Sequence, residues 1–400
     1  MNYLKYWVLS FLISNFLLPI FLSANPTHFT NHFSTHSSTH SICTSGIPLT
    51  QLPGWDTDHQ SDLAQSLLAD CQIKKLDSEK KFCAALPSVL ASCSPTQNNA
   101  CEDQHLRVLL SQYFQAVPIV NNSNTGLFTG YYEPTLTGSL TKTPVFNIPI
   151  YGKPVGLVEL KNIKNNKNSN QETYKILSHG QYQSLPDRAS IFQDFSTNHY
   201  LPNTPILAWV SSEIDDFFLQ IQGSGEILLP NHQSLLVGYA GQNGKKYVPI
   251  GSYLIKTGAL TTQNISMESI KSWLETHPNQ AQRIMNLNPS FVFFRVLNNI
   301  QQPIGANGTQ LTPYRSLAVD PKYLNLGTPV WLSTYLPMKL NSNIQKGVGF
   351  NHLLLAEDTG GAIKGPARGD IYFGGGEDAE WLAGHMQSPG KIWALKPLCA

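Results

Sequence analysis

Beyond Val117 the chain is written in short β-branched and aromatic runs punctuated by glycine and proline, such as Leu127-Phe-Thr-Gly-Tyr-Tyr-Glu-Pro134 and Ile206-Leu-Ala-Trp-Val210. That texture confines most of the polypeptide to strands. Before it, Leu63, Leu67, Leu68 and Cys71, then Leu106, Leu109, Leu110, Tyr113 and Phe114, recur at helical intervals. Asp58 to Phe114 is therefore expected to be helical. Within the β-rich remainder one helix is predicted, from Ser266 to about Thr276, with Ser266 as its N-cap. Lys161 to Glu172 is nearly all Asn, Lys, Ser and Gln and reads as an exposed loop. With 400 residues, 41% apolar and 13% charged, there is enough chain for two domains that each bury a core.

At the N-terminus an apolar run from Trp7 to Leu22, broken by Ser10, Ser14, Asn15 and Pro19, follows Lys5 and ends in Leu22-Ser23-Ala24. This is the make-up of an export signal over residues 1–24. An uncleaved anchor is the alternative, because the run is long for a signal core and short for a membrane span. The first cysteine, Cys43, lies well beyond the run, so lipidation is not expected. Residues 25–50 form a Ser/Thr/His-rich stretch in which His28, His32, His36 and His40 stand four apart. That spacing would align them on a helix face and offer a metal site, but the residues between are poor helix formers, and a solvated tether is predicted. Of six cysteines, Cys71, Cys83, Cys93 and Cys101 cluster, while Cys43 and Cys399 stand apart. In an oxidising compartment the cluster implies disulfides in the helical region, with the pairing left open. Zinc is the alternative, without a CxxC pair to support it.

Charge and motifs narrow the function. With 27 Lys+Arg against 26 Asp+Glu, the net charge of +1 gives no broad electrostatic case for nucleic acid or an anionic membrane. Gly360-Gly361 and Gly374-Gly375-Gly376 lack the spacing of nucleotide-binding loops. Informative residues are densest from Ala356 to Gly376. The run Leu353-Leu354-Leu355 reads as a buried strand, so Glu357 and Asp358 should lie where it surfaces, and Asp370 opens the next strand, Ile371-Tyr372-Phe373. Two carboxylates sharing a partly dehydrated groove cannot both ionise freely, so one can stay protonated and act as a general acid in glycoside cleavage. On spacing alone, the bland alternative has Asp358 capping a turn and Asp370 paired with Arg368 or Lys364.

Asp358-Thr-Gly-Gly-Ala-Ile-Lys-Gly, followed by Arg368, Asp370-Ile-Tyr and Phe373-Gly374, resembles the signature of the three-aspartate (3D) domain of the lytic murein transglycosylase A family. Its first aspartate is matched by Asp320 in Ala318-Val-Asp-Pro-Lys-Tyr-Leu-Asn-Leu-Gly-Thr-Pro-Val-Trp331. Four further blocks resemble the family in the expected order: Phe128-Thr-Gly-Tyr-Tyr-Glu-Pro134, Asp216-Phe-Phe-Leu-Gln-Ile-Gln-Gly-Ser-Gly225, Gly238-Tyr-Ala-Gly-Gln-Asn-Gly244 and Asn288-Pro-Ser-Phe-Val-Phe-Phe-Arg295.

The resemblance implies a mainly β fold with N-terminal helices. A double-psi β-barrel domain would be assembled from residues 51–135 and 296–400, with a second β-rich domain inserted at 136–295 and a substrate groove between them. It implies Asp370 as catalytic acid and base, supported by Asp358 and Asp320. Tyr131, Tyr132, Glu133, Gln220, Gln222, Gly223, Ser224, Gly361, Lys364 and Tyr372 would contact substrate, although β-core packing or turn glycines would explain several of them equally. The implied activity is cleavage of peptidoglycan glycan strands between N-acetylmuramic acid and N-acetylglucosamine, leaving 1,6-anhydromuramoyl ends without metal or cofactor. A glycoside hydrolase on the same barrel and a non-catalytic wall-binding protein are the alternatives. By the same resemblance, the protein would be a monomer exported to the periplasm of a Gram-negative bacterium and associated with its outer membrane, although it lacks a lipobox. Partners in wall synthesis or degradation are possible in such a setting, and nucleic acid is not among them.

Overall fold

The structure is a computed structural model and describes residues 46–73, 77–93, 99–120, 125–160, 174–178, 180–193, 201, 203–262, 264–298, 302–340 and 343–398. The export segment, nearly all of the His-rich tether, the Lys161 to Glu172 loop, Cys43 and Cys399 lie outside the described residues.

The helical periodicity before Val117 produces α1 (Ala64–Ile73), α2 (Asp77–Ala91) and α3 (Ala100–Tyr113) after short 3₁₀ turns. Leu63, Leu67, Leu106, Leu109 and Leu110 fall on one side and bury against Trp331, Leu353, Leu355 and Leu395 of the strands that follow. Disulfides join Cys71 to Cys83 and Cys93 to Cys101, tying α1 to α2 and the end of α2 to α3. The expected disulfides are therefore present, and closing a loop of this length is worth about 3 kcal/mol in the chain-entropy account.

The strands are β1 (Phe114–Ile119), β2 (Gly126–Glu133), β3 (Thr135–Ser139), β4 (Ile148–Tyr151), β5 (Leu157–Glu159), β6 (Tyr174–Ser178), β7 (Gln181–Gln183), β8 (Ile206–Val210), β9 (Ser224–Leu228), β10 (Ser234–Gln242), β11 (Val292–Val296), β12 (Ser316–Val319), β13 (Pro329–Leu340), β14 (Asn343–Asp358), β15 (Arg368–Gly375) and β16 (Gln387–Pro397). One sheet runs β1-β16-β13-β14-β12-β15-β2, and because β16 also pairs with β2, its last six strands close into a barrel. Two pairings, β2 with β15 and β12 with β14, are parallel. The two-residue alternation of strands then sorts the side chains. Phe128, Leu317, Leu332, Leu354, Ile371 and Phe373 fill the barrel, while Leu353 and Leu355 turn outward to the helices.

Between β2 and β12 the chain builds a second sheet, β11-β10-β9-β3-β8-β4, and a small one, β5-β6-β7. Five helices accompany them: α4 (Arg188–Gln193), α5 (Glu213–Gln222), α6 (Ile250–Lys256), α7 (Met267–Thr276) and α8 (Pro278–Met285). The expected helix is α7, whose N-cap Ser266 exchanges hydrogen bonds with Ser269 in a capping box. The other four, and α9 (Glu377–His385) in the barrel half, correct the expectation of a single helix among strands. In α5 the run Phe217-Phe218-Leu219 has strand-like texture. The helix is set instead by Ser212, which caps the Asp215 N–H, by acids in its first turn, and by Gly223, whose left-handed φ of 83° ends it.

Candidate active site

Along β2 the alternation places Thr129, Tyr131 and Glu133 on one face, and along β15 it does the same for Arg368, Asp370 and Tyr372. Parallel pairing aligns the two rows: Asp370 lies opposite Thr129 and Tyr372 opposite Tyr131. Their contacts follow from that register. The Thr129 hydroxyl donates to Asp370 Oδ1, and the rings of Tyr131 and Tyr372 lie 5.3 Å apart. The reverse face of these strands is barrel interior, so the row of polar groups stands on a rigid wall.

Asp358 reaches this face through a β-bulge. Leu317 of β12 pairs with Ala356, but the next residue, Ala318, pairs with Asp358, leaving Glu357 as the extra residue. Bulges re-aim side chains in this way beside functional sites. Ala318 is also the partner of Asp370 on its other side. The two acids therefore flank one small residue across two strand spacings, roughly 10 Å of backbone. Asp358 accepts from the Tyr131 hydroxyl at 3.1 Å and from the Ala306 N–H at 3.1 Å.

The electrostatics favour protons on both acids. Burial pushes the Asp370 carboxyl above its ordinary value, against the Arg368 charge and the Thr129 hydrogen bond. Burial likewise lifts Asp358 to about 6, with the Asp370 charge adding to it and hydrogen bonds from Thr359, Tyr131 and Ala306 opposing. Tyr131 is raised well above the usual phenol value by burial and by the charges of Asp358 and Asp370, so it stays a donor. Beyond it, burial and the Glu226 charge lift Glu133 to about 7, opposed by the Tyr372 hydroxyl, which approaches at 3.5 Å.

Several expected contacts take other positions. Asp320 is buried and accepts from the Gly365 N–H at 2.9 Å and the Lys322 N–H at 3.2 Å. It pins the loop between Asp358 and Asp370 from behind, which suits positioning rather than contact with reacting atoms. Lys364 is exposed and donates to the Gly360 carbonyl at 3.3 Å instead of pairing with an acid. Arg368 donates to Thr129 Oγ1 at 2.8 Å, and Thr129 carries the connection on to Asp370. Tyr132 points to the opposite side of β2 from Tyr131, into the barrel-core cluster, with its hydroxyl on Glu380 at 3.0 Å. The Gln220 to Ser224 segment runs from the end of α5 into β9. Buried Gln220 joins Arg188, Asp216 and the Val292 N–H. Gln222 accepts from the Tyr132 N–H at 3.1 Å, Gly223 is the C-cap, and Ser224 is buried in β9. Glu357, expected at the surface, is fully buried and bonded by Ser316 and Thr309 hydroxyls.

Sequence reasoning missed Thr129, although it lies two residues before Tyr131 and so on the same face. It also missed Tyr247, three residues past the Gly238 to Gly244 block, whose Cβ would be 3.3 Å from a Cβ placed on Gly361. Among the described residues one cluster, Cys93, Cys101 and His105, has the spacing of a metal site. Both of its sulfurs are committed to a disulfide.

If Asp370 and Asp358 share their protons, Asp358→Asn removes the charge that opposes ionisation of its neighbour. The basic limb of the pH–activity profile is then expected to move to lower pH, and activity to fall. A pH–rate series on the variant checks this, and an unchanged profile would refute the coupling.

Residues 127–295 match the family model of the MltA specific insert domain, and residues 315–396 that of the 3D domain. Among curated proteins, the chain is 34% identical over 270 residues to a membrane-bound lytic murein transglycosylase A homolog of Buchnera aphidicola. It is 33% identical over 271 residues to membrane-bound lytic murein transglycosylase A of Escherichia coli K12. Both matches take in 67% of this chain and 65% of the relative, so the matched chain spans a little under two thirds of those proteins. Of solved structures, the membrane-bound lytic murein transglycosylase of Agrobacterium tumefaciens is similar with a TM-score of 0.73 at 28% identity, over 88% of this chain and 97% of that one. The lytic transglycosylase LtgG of Burkholderia pseudomallei is 32% identical over 89% of this chain and 95% of its own, with a TM-score of 0.54. E. coli MltA, solved with bound chitohexaose, has a TM-score of 0.63 at 26% identity over 89% and 92% of the two chains.

Proposed function

Since the chain belongs to the lytic murein transglycosylase A family, we propose that it is a lytic transglycosylase cutting peptidoglycan between N-acetylmuramic acid and N-acetylglucosamine, with Asp370 as its acid and base. The observation that carries the reading is a raised carboxyl, Asp370, on a rigid strand face, hydrogen-bonded by Thr129 and flanked by a second raised carboxyl, Asp358. Asp370 delivers its proton to the glycosidic oxygen as the bond from muramoyl C1 breaks. The muramoyl C6 hydroxyl then closes on C1 and returns its proton to the same carboxylate. No water enters, and the product is a 1,6-anhydromuramoyl end. A group that gives and then takes a proton works best with its pKa near ambient pH, and burial moves the Asp370 carboxyl in that direction. Tyr131 and Tyr372 are buried with Leu311, Ala318 and Ile363 and brace the wall behind the acids, while Asp320 holds the loop that carries Gly361 and Lys364.

In this reading the barrel with its helical lead-in, residues 51–135 and 296–400, and the inserted domain, 136–295, form the two walls of the groove. The substrate is the glycan strand, in keeping with the chitohexaose bound by the E. coli relative, and the protein acts as a monomer. Its relatives are named as membrane-bound, and we place this chain in the periplasm in association with a membrane. Among the described residues no helix is long and apolar enough to cross a membrane. Mass spectrometry of digested peptidoglycan tests the activity: anhydromuramoyl ends are expected, and reducing ends, heavier by one water, would make the protein a hydrolase instead.

A further inference from the structure

Tyr247 lies in the connection between β10 and α6, far in sequence from the acids and on the inserted half of the molecule. Its loop is fixed from below by two buried asparagines. Asn243 donates to the carbonyls of Pro186 and Pro289 at 2.9 and 2.8 Å and accepts from the N–H groups of Lys245 and Phe291. Asn288 accepts from the Val248 N–H at 3.1 Å. The residues on both sides of Tyr247 are thus anchored to the inserted domain's core, and the tyrosine is held out on a preorganised loop.

What it is held against is the barrel's acid loop. The base of its ring packs over Gly361, so closely that a Cβ there would meet the Tyr247 Cβ at 3.3 Å. Burial pushes its phenol above the ordinary value, the Arg188 charge pulls it down, and the Asp370 charge pushes it up again. The phenol therefore lies within electrostatic reach of both the buried cation of the inserted domain and the acid of the barrel. It remains a neutral donor, and among the described residues its hydroxyl has no hydrogen-bond partner. A half-buried phenol hydroxyl left unpaired, on a rigid loop beside a raised carboxyl, is what a polar ligand contact requires.

We infer that Tyr247 is the inserted domain's contact to the glycan at the point of cleavage, its hydroxyl donating a hydrogen bond to an uncharged oxygen of the sugar bound beside Asp370. The inference rests on the proposed transglycosylase activity and adds to it a substrate-contacting residue on the wall opposite Asp370. It also fits the lack of a side chain at Gly361, where a Cβ would crowd the Tyr247 Cβ at 3.3 Å.

Tyr247→Phe removes one oxygen and leaves the ring on Gly361, so the melting temperature should stay at that of the parent. Binding is read by titration calorimetry with chitohexaose in an Asp370→Asn background, where no cleavage intervenes. Adding Tyr247→Phe is expected to weaken that binding by about tenfold, the loss of roughly one hydrogen bond. In the otherwise native enzyme it should lower kcat/KM for release of anhydromuramoyl ends by a similar factor. A parent that releases anhydro ends while Tyr247→Phe matches it in both measurements overturns this inference alone. A parent that binds no chitohexaose and releases no such ends overturns the transglycosylase reading and this inference with it.

Discussion

Asp370→Asn is expected to slow release of anhydromuramoyl ends by about 10²–10⁴-fold, the range typical of a lost general acid–base group, while the protein stays folded and still binds glycan. The amide has the shape of the acid, and its oxygen can still accept the Thr129 hydroxyl hydrogen bond that now reaches Asp370 Oδ1. Arg368 loses no direct partner, because its guanidinium is spent on Thr129 and on main-chain carbonyls. The effect on stability has a definite sign. A carboxyl whose folded-state pKa is raised above its unfolded value disfavours the fold once it must ionise, that is, as the pH rises above the unfolded value. Near neutrality the neutral amide should therefore melt no lower than the parent. Measuring anhydro-end release alongside thermal melting separates chemistry from folding, and turnover close to the parent's would rule Asp370 out.

How far the sequence foreshadowed this site depends on whether a feature is local. Period-two alternation in Leu127 to Pro134 and after Arg368 is local, and by itself it places Thr129 with Tyr131 on one face and Asp370 with Tyr372 on another. The bulge that brings Asp358 onto the same wall is not local, because an extra residue is defined only by the partner strand it fails to pair with. The surroundings of Gln220 were hidden for a related reason. The resemblance implied only that it contacts substrate, whereas Ser212 and Gly223 make the segment a capped helix, and the glutamine turns inward to Arg188. Tyr247 carried no local signal at all. Its role comes from Asn243 and Asn288 beneath it and Gly361 across from it, contacts joining segments forty or more residues apart.

The same holds for the junction that ties the N-terminal helices to the barrel, where Asp58→Ala is expected to destabilise the protein by about 3 kcal/mol, the low end for breaking a buried ion pair, because half-exposed Asp62 still pairs with Arg315. Asp58 and Arg315 are both buried and meet at 2.7 Å. Asp58 also bonds His352 at 2.6 Å and accepts from the Leu353 N–H at 3.0 Å. Arg315 reaches the His59 carbonyl, Asp62 and the Leu353 carbonyl, all of which it would keep while losing its buried counter-charge. Burial pushes the Asp58 carboxyl up, but the His352 hydrogen bond, the Arg315 charge and the Leu353 N–H outweigh it, so its pKa is lowered. This contribution is then fully present above the ordinary carboxylate range and is lost as the pH falls through the lower folded-state value. Urea titrations across that range should show the parent's advantage over Asp58→Ala shrinking as the pH falls. The loss would also reach the active site, because Arg315 directly precedes β12, whose Ser316 bonds Glu357 and whose Ala318 separates Asp358 from Asp370. Replacing both partners, Asp58→Leu with Arg315→Met, removes the buried charge that either single substitution leaves behind and should cost less than the sum of the two. Additive losses would mean that the pair acts as two independent anchors rather than as one buried link.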